Sequence, residues 1–317
     1  MPQQLGSDDQ IARRLRLRDL HLFFAVVQHG SMAKAASHLG ITQPTVSEVI
    51  GDLEHTLGVR LFDRGPRGVE LTTYGNALLT RARAAFDELR QATRDIEFLA
   101  DPSSGEVRIG CAESASATIL PSIISEFCAT HPNVALRVTA VPSANWEHSG
   151  LRERAHDLLL GWHVTPLPSE SLGGDLNVEV LFNDRLIVAA GMQSAWARRR
   201  RLDLSELAQA TWILGPPGSA NYADMTEVFR SRGLAMPKVG LECLSVPLRS
   251  HLLGTGRFVA AMLRVDALQS GLKILPVDIK TRPWPFALFT LGNRVLSPTV
   301  ESFITHIRNF AKTIPGS

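Results

Sequence analysis

The hydrophobic positions of the first hundred residues keep a helical period. Leu20, Phe23, Phe24 and Val27 fall at i, i+3, i+4 and i+7, so the stretch from Asp19 to Gln28 reads as an amphipathic helix ended by Gly30. Ser31 can cap a second, short helix, MAKAASHL, which turns Ala35, Ala36 and Leu39 inward, and Gly40 ends it. Thr42 can cap a third helix with Pro44 in its first turn, where a missing N–H is tolerated. In that helix Val46, Ile50, Leu53 and Leu57 repeat at 4, 3 and 4, which leaves Gln43, Thr45, Ser47 and Glu48 facing away from the core. Two helices joined by a tight turn, the second starting with exposed polar side chains, form a helix-turn-helix pattern. The period then shortens to two across VRLFDRGPRGVELT, a hairpin with Arg64 and Arg67 at its tip. Beyond it Gly75, Leu78, Ala82, Ala85, Leu89, Ala92, Ile96 and Leu99 form an unbroken heptad seam, expected to pair with another helix.

The polar break DPSSG, Asp101 to Gly105, ends the helical part. Afterwards strand and helix patterns alternate: EVRIGC, a helix through LPSIISEFCA, VALRVTA, a helix near Glu147 to Arg154, DLLLG, DRLIVAA, WILG, a helix through MTEVFRSRG, VGLECL, a helix through LRSHLLGTG, FVAAM, KILP and FALFTL. A last helix starts with Ser297 as cap and Pro298, and turns Val300, Phe303, Ile304 and Ile307 inward. Such alternation predicts mostly parallel sheets covered by helices, and the length suits two α/β lobes with a cleft between them.

Composition narrows the class without choosing the function. A chain of 317 residues with 44% hydrophobic and 20% charged residues is globular and long enough for two or three domains. The net charge of +2 neither demands nor forbids a polyanion, and residues 1–100 carry 12 basic and 12 acidic side chains. Apolar runs such as Leu186 to Met192 are too short to cross a bilayer, and the basic stretch Arg13 to Arg18 precedes no signal core, so a cytoplasmic location is expected. Cys111, Cys128 and Cys243 are widely spaced and read as reduced. GxSxG and GxxxxGK[ST] are absent, and GTGRFV lacks the third glycine of a dinucleotide loop. His148, His156, Asp157 and His163 cluster without metal-ligand spacing, and Arg198 to Arg201 reads as a solvated loop. No catalytic residue, metal or cofactor is expected.

The run from Phe23 to Gly75 resembles the winged helix-turn-helix of LysR-type transcriptional regulators, through the AA of the second helix, TQPTVS, LE before LG, LFDR, and LT before G. RIGC, LPSIISEF, HPNVALRV and GTGRF resemble, less closely, the family's periplasmic-binding-protein-like effector domain. There the chain departs at two places, with Arg154 where members usually have Gly and Met262 where they usually have Pro. The implied fold class is an α+β winged helix-turn-helix domain (15–72) and a long linker, or dimerisation, helix (73–100), joined to a regulatory domain of two α/β lobes (105–317). The DNA-contacting set implied is Ser31, Lys34, Thr42, Gln43, Pro44, Thr45 and Ser47, with Arg64 and Arg67 on the wing. Ligands of open α/β sheets bind beyond the carboxyl ends of strands, which selects CAESASAT and PPGSANY. Ser114, Ser116, Ser219, Ala220 and Asn221 are the effector residues expected from them, with Ser143, Ser245 and Gly161 to His163 as weaker candidates. The resemblance implies a homodimer or homotetramer on an interrupted two-fold promoter site in double-stranded DNA, modulated by a small-molecule effector. A small-molecule binding protein without DNA function and an α/β hydrolase or isomerase with a helical cap are the alternatives.

Overall fold

The computed structural model describes residues 15–65, 68–141, 149–162 and 174–314. It forms two compact units, Met1–Arg90 and Gln91–Ser317.

In the first unit α1 (Leu17–His29), α2 (Met32–Leu39) and α3 (Gln43–Leu57) surround a core in which Phe23, Val26, Ala35, Val46 and Ile50 are fully buried. Gly30 and Gly40, with φ of 64° and 66°, end α1 and α2 in the left-handed conformation that glycine adopts without a Cβ clash. Thr42 caps α3 as expected: the Thr45 N–H donates to its Oγ1 (3.4 Å). Ser31 precedes α2 with extended backbone but makes no side-chain cap bond. A two-stranded hairpin follows, β1 (Phe62–Gly65) antiparallel to β2 (Gly68–Leu71). It is fastened at two points. The Val69 N–H donates to the Gly30 carbonyl (3.0 Å), and Glu54 Oε1 accepts from the backbone N–H groups of Leu61 (2.7 Å) and Phe62 (3.2 Å).

Helix α4 (Thr73–Ala100) begins directly after the hairpin. Leu79 and Ala82 are buried in the first unit's core, and Phe86 meets Phe24 edge-on at 5.2 Å between ring centroids. Farther along, the seam residues Ala85, Leu89, Ala92, Ile96 and Leu99 are exposed, Leu99 by 80%.

The second unit holds two five-stranded sheets. The first has β3 (Ser104–Cys111), β4 (Asn133–Ala140), β5 (Leu158–Trp162), β6 (Leu176–Asp184) and, from the end of the chain, β12 (Trp284–Leu291), in the order β4-β3-β5-β12-β6. The second has β7 (Leu186–Ala190), β8 (Thr211–Leu214), β9 (Val239–Glu242), β10 (Phe258–Leu263) and β11 (Lys273–Ile274), in the order β11-β7-β10-β8-β9. The chain thus passes from one lobe to the other at Asp184–Arg185 and returns before Trp284.

These crossings correct the expectation of mostly parallel sheets. Pairs β3–β4, β3–β5, β8–β9 and β8–β10 are parallel, but β12 runs antiparallel to β5 and β6, and β7 antiparallel to β10 and β11. The antiparallel strands flank the two crossings: β6, β7, β11 and β12 are those next to an exchange of lobes. Strand β6, LNVEVLFND, was not expected from the sequence, because it is an edge strand whose residues are mostly half-buried or exposed.

Helices cover the sheets. In the first lobe α5 (Glu113–Ala117), α6 (Leu120–Thr130) and the final helix, α12 (Pro298–Ala311), pack Phe127, Phe303 and Ile307 into the core. Between β4 and β5 the described part of the helix expected near Glu147 to Arg154 is α7 (Ser149–Arg152). In the second lobe α8 (Leu204–Leu207) and α9 (Ala220–Ser231) pack against Trp212, whose indole N–H donates to the Leu207 carbonyl (2.8 Å), while α10 (Val246–Gly254) and α11 (Arg264–Gln269) bring Leu253 and Ala267 into a separate cluster with Ile213. Ser297 precedes α12 but forms no side-chain cap bond; its Oγ is buried without a partner among the described residues.

Candidate functional site

The first turn of α3 is a polar, outward-facing surface held by a buried helix. Thr42, Gln43 and Pro44 are exposed, and Thr45 and Ser47 half-buried, while Val46, Ile50 and Leu53 anchor the opposite face. The Thr42 and Thr45 hydroxyls bond each other (2.8 Å), so the cap is held by side chains at the surface itself. Ser31 is half-buried just before α2 and Lys34 exposed in its first turn. Arg64 lies on β1, its backbone paired with Val69. Arg67 lies outside the described residues. A helix start with Gln and hydroxyl side chains suits base edges and phosphates, since Gln can make a two-point contact to adenine. Glu54 of α3 turns away from this surface and accepts from the two N–H groups that lead into β1.

In the second unit the segments expected to line a cleft come from different lobes, and the lobes are bonded to each other nearby. The Ser245 hydroxyl, at the start of α10, donates to Glu113 Oε1 (2.7 Å), and the Thr118 hydroxyl donates to Asp266 Oδ1 (3.2 Å). Ala220 packs against the first lobe's core. Ser114 is half-buried in α5. The other hydroxyls serve local structure: Ser116 donates to the Glu113 carbonyl (2.8 Å), and Ser219 Oγ accepts the Tyr222 N–H (3.2 Å) as the cap of α9. Asn221 is buried; its Oδ1 accepts the Gly215 N–H (3.0 Å) and its Nδ2 donates to the Ala261 carbonyl (3.1 Å), tying the end of β8 to β10. Ser143 and His163 lie outside the described residues.

Sequence reasoning missed the charged groups at this place. Arg249 on α10 and Asp266 on α11 are both buried. Burial pushes the Asp266 carboxyl up to about 7 against the pull of Arg249 and the Thr118 hydrogen bond, and burial lowers the Arg249 guanidinium despite the attraction of Asp266. Neither belongs to a short motif; a lone Arg between Leu248 and Ser250 gives no periodic signal. A separate cavity of about 640 Å³ is lined by Ile119, Asp184, Arg185, Arg264 and Phe310 among others, and by none of the five expected effector residues.

A second buried charge cluster lies where α4 enters this unit. Asp157, fully buried just before β5, accepts from Arg108 Nη2 (2.7 Å), Arg294 Nη2 (2.7 Å) and Arg94 Nη1 (3.4 Å), and from the Arg108 backbone N–H (2.8 Å). Arg94 of α4 also pairs with Glu106 (3.1 Å), and the Gln91 amide oxygen accepts from Arg294 (2.7 Å). Burial raises the Asp157 carboxyl pKa, but the Arg108 hydrogen bond and the Arg108 and Arg294 charges win, and the pKa ends below the usual carboxylate range. The cluster joins the last ten residues of α4 to the second unit. Asp157, which the sequence shows among histidines without metal-ligand spacing, is committed to arginines; His148 and His163 lie outside the described residues.

Arg198 to Arg201 are exposed after a 3-10 turn, with Arg199 paired to Glu206. The three cysteines are free. No helix among the described residues is long and apolar enough to cross a membrane.

Comparison with known proteins accounts for both units. Residues 17–76 match the bacterial regulatory helix-turn-helix protein model of the lysR family, and residues 100–312 match the LysR substrate binding domain. Among curated relatives, the HTH-type transcriptional regulator GbpR of Azospirillum brasilense is 27% identical over 98% of this chain and 91% of its own. Among solved structures, full-length OxyR from Pseudomonas aeruginosa (TM-score 0.63, 17% identity, 95% of this chain and 96% of that chain) shares the fold. So does full-length CbnR in complex with its target DNA (TM-score 0.61, 19% identity, 93% of this chain and 100% of that chain). With a helix-turn-helix and a substrate-binding domain matched in order along most of its length, the chain belongs to the LysR family of bacterial transcriptional regulators.

Proposed function

We propose that this regulator acts in the cytoplasm as a homodimer or homotetramer, by binding rather than by catalysis, and reads an interrupted two-fold promoter site under the control of a small-molecule effector. Its working parts are a DNA-binding domain of residues 15–72, a pairing helix of 73–100 and an effector domain of 105–317. Gln43, Thr45 and Ser47 face the bases, with Thr42 and Pro44 setting the helix start. Ser31, Lys34, Arg64 and Arg67 contact the backbone or the flanking groove. The effector enters between the lobes near Ser114, Ser116, Ser219, Ala220 and Asn221.

The observation that carries the reading is the first turn of α3, where exposed Thr42, Gln43 and Pro44 stand on a helix anchored by Val46, Ile50 and Leu53. Pairing is supported by the exposed apolar stripe Leu89, Ile96 and Leu99, since a two-fold protein presents two such helix starts to a two-fold site. Control by an effector requires that it bind two lobe arrangements with different affinity.

The test is footprinting of the purified protein on the DNA upstream of its own coding region, with excess competitor, at about 150 mM salt, where weak phosphate contacts are screened. Two-fold-symmetric protection that Gln43→Ala shifts to about 5- to 150-fold higher protein concentration is the expected result. Protection unchanged by that substitution would reject the residue assignment.

A further inference from the structure

The expected effector residues are uncharged, yet a cation is buried beside them. Arg249 is 5% exposed, and its Nη1 donates to the Ala261 carbonyl (3.2 Å), the same oxygen that Asn221 holds. Its Nε is buried without an acceptor among the described residues, and no hydrogen bond among them uses Nη2. The surrounding acids do not fill this edge. Glu113 Oε1 is taken up by the Ser245 hydroxyl, and Asp266 Oδ1 by the Thr118 hydroxyl, so both act on Arg249 through space. A guanidinium withdrawn from water with its Nε–Nη2 edge unfilled is costly, and the cost is recovered when an oxyanion occupies that edge. The place also fits: Arg249 on α10 is bonded to Ala261 of β10, and the charge of Glu113, which follows the carboxyl end of β3 in the other lobe, acts on it, so it lies by the strand ends where open α/β sheets take ligands.

We propose that Arg249 receives the carboxylate of a small organic acid through Nε and Nη2, and is thereby the specificity-determining residue of the effector cleft. The proposal rests on the effector-cleft reading above. A two-point contact matches the planar fork of arginine to a carboxylate. With Glu113 and Asp266 close by, a second negative charge on the ligand would be repelled, which favours a carboxylate over a phosphate dianion. An additional ammonium, as in an amino acid, would find Glu113.

The test is calorimetry and thermal denaturation of the full chain with a panel of hydroxy, keto and aromatic carboxylates, amino acids and phosphate monoesters at millimolar concentration. At least one carboxylate should bind, and its primary amide should bind about 30-fold more weakly. Arg249→Met should weaken binding of the acid as much while leaving binding of its amide unchanged, a difference that an arginine needed only for structure would not produce. Arg249→Lys, which keeps the charge but not the fork, should weaken binding less. Ser114→Trp, which fills the cleft, should also remove binding. Binding kept in Arg249→Met but lost in Ser114→Trp would overturn the role of Arg249 and leave the cleft in place. Binding kept in both would overturn the cleft. Binding by the amide as tight as by the acid, a preference for phosphate monoesters, or no carboxylate bound at all would each overturn the proposed ligand class.

Discussion

Replacing Asp157 with Asn tests whether the arginine cluster fastens α4 to the effector domain. The carboxylate is fully buried and faces three guanidiniums, from Arg94 on α4, Arg108 on β3 and Arg294 near the final helix. Asn keeps the shape but removes the charge and turns an N–H₂ donor toward donors. Breaking a buried pair from one side costs about 3–5 kcal/mol, because the partners stay buried and uncompensated. That is a large share of the roughly 5–15 kcal/mol that holds a domain folded. At about 2–4 °C per kcal/mol for a domain of this size, the effector domain should melt on the order of 10 °C earlier. The pH dependence has a definite sign. The Asp157 pKa is lower in the folded protein than in the unfolded chain, so its stabilisation is present above the usual carboxylate range and is lost as pH falls through the folded value. Melting followed by circular dichroism between pH 3 and pH 7 should show a steeper acid loss in the wild type than in Asp157→Asn. A variant within about 1 kcal/mol of the wild type, with the same acid slope, would refute the reasoning.

Three further outcomes follow from the first unit and the seam of α4. Gly75→Ala should destabilise the helix-turn-helix by several kcal/mol, on the order of an overpacked core, because the added Cβ would lie 2.2 Å from the backbone carbonyl of Leu61; urea denaturation reads it directly. Gln43→Ala should lower operator affinity by about 1–3 kcal/mol while leaving affinity for random DNA and the Tm unchanged, as gel-shift titrations against both DNAs would show. Leu89→Glu combined with Leu99→Glu should shift the protein toward monomer in analytical ultracentrifugation, since both side chains are exposed apolar positions of the stripe.

Most of the first unit was legible because its determinants are local. Glycine stops, the cap at Thr42 and the 3.6-residue period set α1, α2 and α3, and a change to period two marked the hairpin. The seam was legible as a period but not as a division of labour: only the structure shows that Leu79, Ala82 and Phe86 turn α4 toward its own core while Leu89, Ile96 and Leu99 stay exposed. In the effector domain the strands with continuous apolar runs, such as β7 and β10, could be read, whereas the half-exposed edge strand β6 could not. Strand direction was out of reach because it depends on where the chain changes lobes. The expected site serines were chosen by position after a strand, and two of their hydroxyls are engaged in local bonds. Arg249 and Asp266 lie 17 residues apart and come together only through β10, so no local pattern could reveal them.

Arg154 shows how a departure visible in the sequence becomes intelligible through magnitudes. The resemblance implies glycine here, and in the described residues Arg154 is the one non-glycine position with positive φ, 58°. Such a conformation costs about 1–2 kcal/mol for a residue with a Cβ. The turn that requires it delivers Asp157: the Arg154 N–H bonds the Leu151 carbonyl (2.9 Å), the N–H groups of Ala155 and His156 bond the Gly150 carbonyl (2.9 and 3.1 Å), and the Arg154 carbonyl accepts from Arg108 Nη1 (3.0 Å). Arg108 therefore grips both the strained residue and the carboxylate three positions on. Because the arginine cluster is worth about 3–5 kcal/mol against removal of its carboxylate, the cluster outweighs the strain and holds the backbone in place. The joint between α4 and the sheet of the first lobe thus carries a residue with a Cβ at this turn, whereas loss of the aspartate would cost it more than that strain.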